Sequence, residues 1–310
     1  MLNYAKYINI IKQKPSVIYP ALKAFLKTNL LNKRVLRGAD IAVTYLCQGR
    51  CKKCSCQDLI EDNRPEMSKG EIAGIAKQII SAGGILINLT GGEPLLRPDI
   101  GDIIFSLHKM PAIVSVSTNA LLLDEKLLRN LRNAGLHVLQ LNLSSPVPEE
   151  HDAEMGVAGS YKNVISVMQI AKEIGINILF NTVITKQILH THRIKALVGL
   201  AKENNVYLSL ILPAAVGRWK GNRDLLLSQE DYDLLKDWLK FGFVTTDTKT
   251  CYKKGICPGG TEKIYVSPYG DVYPCAFMRR RMGSFLKEDL SQIRKNMSIC
   301  LEPTGCINIK

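Results

Sequence analysis

Between residues 38 and 212 short apolar runs alternate with amphipathic stretches six times, and no cysteine interrupts residues 57 to 250. The runs at 41–46, 85–89, 113–117, 138–143, 177–184 and 206–212 read as strands, and the stretches between them carry helical spacing. Helix boundaries are written into the chain: Ser68 with Glu71 forms a capping-box pattern opening a helix over 67–82, Asp124 opens another that Gly135 stops, and Gly175 ends a helix over 161–174. Alternation of this kind requires crossovers, which makes the strands parallel and lays the helices against the sheet. No G-x-G-x-x-G turn follows the first strand, so the expected α/β fold is a partial (β/α)6 TIM-like barrel rather than a dinucleotide-binding sheet.

All nine cysteines lie at 47–56 or 251–306, a clustering unlike scattered disulfides and suited to a reducing cytoplasm. Directly after the first strand stands Cys47-x3-Cys51-x2-Cys54. Three thiolates this close can hold three corners of a four-iron cluster and leave the fourth iron open, or a structural zinc that Cys56 completes. Gly91-Gly92-Glu93-Pro94 follows the second strand and Ser117-Thr118-Asn119 the third, so all three segments face the carboxyl end of the barrel, where active sites assemble. A glycine pair lets backbone approach a ligand, or makes a turn.

Charge is concentrated at the head. Residues 1–39 hold eight Lys and Arg and no acid, within a net charge of +13. Ile18, Leu22, Phe25, Leu26 and Leu30 approximate helical spacing, so residues 1–37 form a basic amphipathic helical extension. Its apolar stripe is expected to cap the main domain, peripheral contact with an anionic membrane being the alternative. No secretory signal or membrane-length apolar run is apparent. Aromatic residues make up 6% of the chain and no basic stripe interleaves with them, which argues against nucleic acid.

Together, the C-x3-C-x2-C run after strand one and Gly-Gly-Glu-Pro after strand two resemble the radical S-adenosylmethionine (radical SAM) superfamily. Gln140 to Pro146, His151-Asp152 and Gly159-Ser160 are similar to the fourth unit of members with an extra cluster domain, although Ser144-Ser145 stands where those members usually have Asp-Gly. The resemblance implies that Cys47, Cys51 and Cys54 bind a 4Fe-4S cluster and that Gly91, Gly92 and Glu93 lie against the methionyl end of S-adenosylmethionine. It further implies that Asn119 and Asn142 face its ribose and carboxylate side, and that a 5′-deoxyadenosyl radical takes a hydrogen from the substrate. Cys56 matches no ligand position and reads as a small buried residue or a hydrogen donor.

The tail holds Cys251, Cys257 and Cys275, with a hairpin expected around 268–271. Cys257-x12-Gly270-x4-Cys275 resembles the opening of the SPASM domain and its shortened Twitch form, which implies a small α+β, hairpin-plus-helix domain binding one auxiliary 4Fe-4S cluster. Cys251, Cys257 and Cys275 are the implied ligands with Cys300 or Cys306 as fourth, and the fifth thiol, Cys251 included, is inert or a hydrogen donor. The expected division is an extension at 1–37, a barrel core at 38–215, a helical connection at 216–244 and the cluster domain at 245–310. Such members take a peptide or a small-molecule substrate and an external electron donor such as flavodoxin or ferredoxin. Arg218 and Lys220, after the sixth unit, read as solvated charges or as contacts to an anionic substrate.

Overall fold

The alternation of buried and half-buried positions along each strand decides the architecture. The structure is a computed structural model describing residues 10, 12–33, 35–61, 63–246 and 257–300, except the side chains of 298–300. Its elements run α1 (Ile18–Asn29), β1 (Gly38–Thr44), α2 (Lys69–Ser81), β2 (Leu86–Gly91), α3 (Ile100–His108), β3 (Ile113–Thr118), α4 (Glu125–Ala134), β4 (Val138–Asn142) and α5 (Pro148–Met155). They continue α6 (Ser160–Glu173), β5 (Asn177–Val183), α7 (Lys186–Leu189), α8 (His192–Glu203), β6 (Tyr207–Ile211), α9 (Gln229–Trp238), β7 (Val244–Thr246), β8 (Lys263–Val266), β9 (Asp271–Tyr273), β10 (Gly283–Ser284) and α10 (Leu290–Cys300).

Strands β1 to β7 pair in parallel in chain order, the open partial barrel that the alternation predicts, with β7 as a three-residue strand beyond the expected six. One face carries Ile41, Val43, Ile87, Leu89, Val116, Leu141 and Phe180, buried against the helices in a single core. Each such side chain contributes about 1.5–3 kcal/mol relative to exposure. The predicted caps form: Ser68 and Glu71 close a full capping box, Asp124 accepts from Leu127 N, and Gly135 ends α4 at φ 102°.

The tail hairpin extends the same sheet. Strand β8 pairs in parallel with β1, and β9 and β10 follow antiparallel, giving the order β10-β9-β8-β1-β2-β3-β4-β5-β6-β7 among the described residues. The divisions suggested by the sequence are thus drawn across one continuous sheet. Arg64 fastens the hairpin turn to the segment before α2: it pairs with Asp271 Oδ2 at 2.5 Å, donates to Tyr269 O, and its guanidinium lies 4.8 Å from the Tyr269 ring centroid.

The head departs from expectation. Ile10 and Val17 pack beneath Leu86, Ile113 and Val138, the first residues of β2, β3 and β4, but α1 does not bury its apolar stripe. Ile18, Leu22, Leu26 and Leu30 are exposed and Phe25 is only half-buried. Ala24 and Thr28 face the protein instead, because small side chains permit closer approach on that side. No helix among the described residues is long and apolar enough to cross a membrane.

Candidate active site

Strand β1 delivers the cysteine loop to the carboxyl end of the sheet. Glu66 steadies its exit, accepting from Thr44 Oγ1 at 2.6 Å and Tyr45 N at 3.2 Å. The loop then hangs on the last turn of α5, where Arg50 N donates to Met155 O and Lys52 N to Glu154 O. Cys51 Sγ lies 3.7 Å from Met155 Sδ.

Gly49 opens the space between the thiols. A Cβ there would sit 3.4 Å from Cys47 Sγ, 3.5 Å from Cys51 Sγ and 3.6 Å from Asn119 Nδ2, so a side chain would fill the hollow that the loop encloses. Cys47 Sγ also accepts from Gly49 N at 3.3 Å and faces Asn119 Nδ2 at 3.7 Å. Burial pushes the thiols of Cys47 and Cys51 up, Cys51 to about 11. Cys54 is held down to about 6 by its hydrogen bond with Cys56, backbone N–H groups and the Arg218 cation. Among the described residues no three His, Cys, Asp or Glu side chains converge as ligands of a single metal ion would. A soft all-thiol set in one loop, two of its members flanking a side-chain-free hollow, fits a polynuclear iron-sulfur cluster, whose cysteines bind different irons.

Gly91 and Gly92 are glycines for a backbone reason. At φ 135°, a Cβ on Gly91 would lie 2.0 Å from Thr44 O, and one on Gly92 would lie 2.3 Å from Leu46 O. Their missing side chains let the end of β2 close onto the segment entering the cysteine loop, where Gly92 N donates to Thr44 O and Glu93 N to Leu46 O, both at 2.8 Å. The Glu93 carboxylate is fully buried and turned inward. It accepts from Asn119 N at 2.9 Å, Thr118 Oγ1 at 2.8 Å and Leu95 N at 3.1 Å, while desolvation raises its pKa against these three donors. Glu93 therefore locks the end of β3 to the end of β2, and with it Asn119 beside Cys47. Asn142 stands half-buried at the end of β4, level with Asn181.

The inner face of the open barrel is polar. Lys263 pairs with Asp40 at 2.7 Å, Asp40 accepts from Asn88, and Asn88 Oδ1 accepts from Ser115, Ser117 and Gln140. Gln140 Oε1 in turn accepts from Asn181 at 3.0 Å. Toward the tail hairpin this face is closed by Tyr45, Tyr265, Tyr269 and Tyr273, with Tyr45 and Tyr265 hydroxyls 2.9 Å apart. Cys56 packs against these rings and donates to Gly91 O at 3.2 Å.

In the tail, a Cβ on Gly259 would sit 3.5 Å from Cys257 Sγ and 3.6 Å from Cys275 Cβ, so the hairpin brings these two cysteines together around another glycine. Cys251 and Cys306 lie outside the described residues, and Cys300 ends α10 with its side chain undescribed. Arg279 ties the tail to the cysteine loop through Asp58 and Ser55 O. Arg218 packs on that loop by backbone, its N–H donating to Cys54 O at 2.9 Å, with its side chain exposed, and Lys220 is exposed. Sequence reading missed Met155 and Arg279, whose roles arise from long-range contacts, and Gly49, for which a glycine within C-x3-C was the available signal.

The radical SAM superfamily model matches residues 41–196, and the SPASM model, an iron-sulfur cluster-binding domain, matches residues 257–300. The GTP 3′,8-cyclase of Clostridium perfringens (strain 13) is 30% identical over 278 residues, 87% of this chain and 82% of the cyclase. An AdoMet-dependent heme synthase of Nitratidesulfovibrio vulgaris is 23% identical over 273 residues, 78% of this chain and 74% of the synthase. Among solved structures, Streptococcus suis SuiB bound to its precursor peptide SuiA superposes with a TM-score of 0.68 at 16% identity, covering 97% of this chain and 77% of SuiB. With Cys47 and Cys51 beside the Gly49 hollow, Cys54 in the same loop, a buried Glu93 lock behind them and a second cysteine pair on the hairpin, the chain belongs to the radical SAM superfamily and is an enzyme of its SPASM-containing branch, using S-adenosylmethionine and iron-sulfur clusters.

Proposed function

We propose that this radical SAM enzyme modifies a peptide, by crosslinking or epimerisation, inside the open barrel. The observation that carries this reading is the inner-face ladder of Asn88, Ser115, Ser117, Gln140 and Asn181, which offers neutral amides and hydroxyls. Its charges, Asp40 and Lys263, are paired with each other. Amide and hydroxyl groups match the donors and acceptors of a peptide backbone, whereas a nucleoside triphosphate calls for cations with charge to spare. SuiB, solved with a precursor peptide, shares the fold and lends the reading further support.

When bound, the cluster and S-adenosylmethionine supply the electron and the alkyl radical that removes a substrate hydrogen atom. The chain's own part is placement. Cys47, Cys51 and Cys54 hold the cluster, Gly91 and Gly92 set the backbone against the methionyl end of the cofactor, and Glu93 fixes that backbone from behind. Asn119 and Asn142 flank the cofactor's ribose and carboxylate side. The tyrosine wall keeps water from the interior between the two cysteine sites. Cys257 and Cys275, with Cys251 and either Cys300 or Cys306, hold a single auxiliary 4Fe-4S cluster in a cluster domain at 245–310. Cys56 is the available thiol hydrogen donor, or Cys251 where Cys300 and Cys306 both ligate the auxiliary cluster in its place, and an external flavodoxin or ferredoxin supplies electrons.

A second reading, a small-molecule substrate, is favoured by the 30% identity to a GTP 3′,8-cyclase. The two separate in one experiment: 5′-deoxyadenosine formation by the anaerobically reconstituted, dithionite-reduced enzyme with a synthetic peptide library or with GTP. Stimulation and a mass change in peptides support the proposal; stimulation by GTP alone overturns it.

A further inference from the structure

Helix α1 presents its faces in the reverse of the usual order for a helix lying on a domain. Toward the protein it turns Ala24 and Thr28, and toward solvent its large apolar residues, with Tyr19 72%, Leu22 54% and Leu30 75% exposed. At 3.6 residues per turn, Ile18, Tyr19, Leu22, Leu26 and Leu30 fall within an arc of about 120°, with Ala24 and Thr28 on the opposite side. Lys23 and Lys27 border the arc, and the Lys23 ammonium lies 5.9 Å from the Tyr19 ring centroid. Leu31, 60% exposed, continues the stripe, and its side chains line a shallow groove of about 350 Å³.

We propose that this face docks the protein on an anionic lipid bilayer. Leucines at the arc's centre would enter the boundary between headgroups and acyl chains, while the lysine stems at its edge reach lipid phosphates. Charge selects this occupant. Residues 1–39 hold eight cations and no acid, so a second copy seated face to face would bring Lys23 and Lys27 toward their own counterparts with no carboxylate in the segment to offset them. An anionic bilayer supplies counter-charge to Lys23 and Lys27 along the face.

The position of the helix gives the docking a direction. Its lead-in residue Val17 packs under the amino-terminal ends of β2, β3 and β4, and the cysteine loop stands at the carboxyl ends. A bilayer bound at α1 therefore lies on the far side of the sheet from the reaction site. Docking anchors the enzyme and leaves the barrel mouth free for a substrate arriving from water.

The test is flotation of the full-length reconstituted enzyme with vesicles of phosphatidylcholine alone or mixed with phosphatidylglycerol. Binding is expected only to the mixed vesicles and weakens with salt. The exposed pair Leu22→Glu/Leu26→Glu lowers it on the order of a hundredfold. Lys23→Gln and Lys27→Gln each lower it about fivefold. Iron content and S-adenosylmethionine cleavage by all variants stay at the native level, showing that they fold. Absence of binding to the mixed vesicles, or binding that survives the double glutamate substitution, overturns the proposal. So does a dimer in sedimentation that this substitution dissociates in a protein that does not float, which would make the face an interface between copies.

Discussion

Replacing Gly91 by alanine separates two roles for the glycine pair, close approach to a ligand and close approach of one strand to another. The added Cβ would lie 2.0 Å from Thr44 O, where ordinary contact begins at 3.4 Å, so the two chain segments must part by about 1.4 Å. The residue also holds φ 135°, a conformation that costs a side-chain-bearing residue about 1–2 kcal/mol. Parting the segments lengthens the Gly92 N to Thr44 O bond and disturbs the Cys56 thiol bond to Gly91 O, each worth about 1 kcal/mol. The sum, before any residual clash, is on the order of 4 kcal/mol, or a melting temperature lower by roughly 6 °C in a chain of this length. Thermal unfolding followed by circular dichroism, on protein without added S-adenosylmethionine, reads this directly. An unchanged melting curve combined with weaker S-adenosylmethionine binding would refute the strand-closure argument and return Gly91 to a purely ligand-facing role.

Glu93→Gln keeps shape but turns an amide NH2 toward one of three donors, so we expect a loss of about 2–3 kcal/mol in thermal or urea unfolding; a neutral result removes the lock from the site. Serine at Cys47, Cys51 or Cys54 singly should abolish 5′-deoxyadenosine formation while leaving roughly half the iron, that of the auxiliary site, as measured by iron analysis of the reconstituted protein. Asn119→Ala removes the amide facing Cys47 Sγ but keeps the backbone N–H to Glu93, so the paramagnetic resonance of the reduced cluster should change and cleavage slow about tenfold. Buried His137 is lowered to about 4 by desolvation and by His108, Lys14 and Arg132. Because the unfolded chain takes up this proton near pH 6.5 and the folded chain only near 4, stability falls as pH drops through that window, by about 3 kcal/mol. His137→Asn, which retains an acceptor for Val114 N, should flatten the curve; an identical pH profile in the variant contradicts the assignment.

Tyr45, at the entry to the cysteine loop, packs with Tyr265 and Tyr273 of the hairpin, while Arg279 and Arg64 bind the tail to residues 55–64. Movement of the hairpin is therefore linked to movement of the loop that carries Cys54. This linkage offers a physical route by which occupancy of the auxiliary site could be felt at the reaction site.

Much of the fold was written locally. Ser68, Glu71, Asp124 and Gly135 cap helices by short-range hydrogen bonds, and the apolar runs form a parallel sheet because their period and connections leave few alternatives. The C-x3-C-x2-C spacing likewise placed three thiols in one loop after β1. Tertiary structure decided what spacing cannot encode: that β8 joins β1, so the tail extends the barrel sheet, and that Glu93 turns inward to hold Asn119. It also decided that α1 buries Ala24 and Thr28 and shows its leucines to solvent. Periodicity fixes which residues share a face, but the direction of that face depends on what the rest of the chain brings against it.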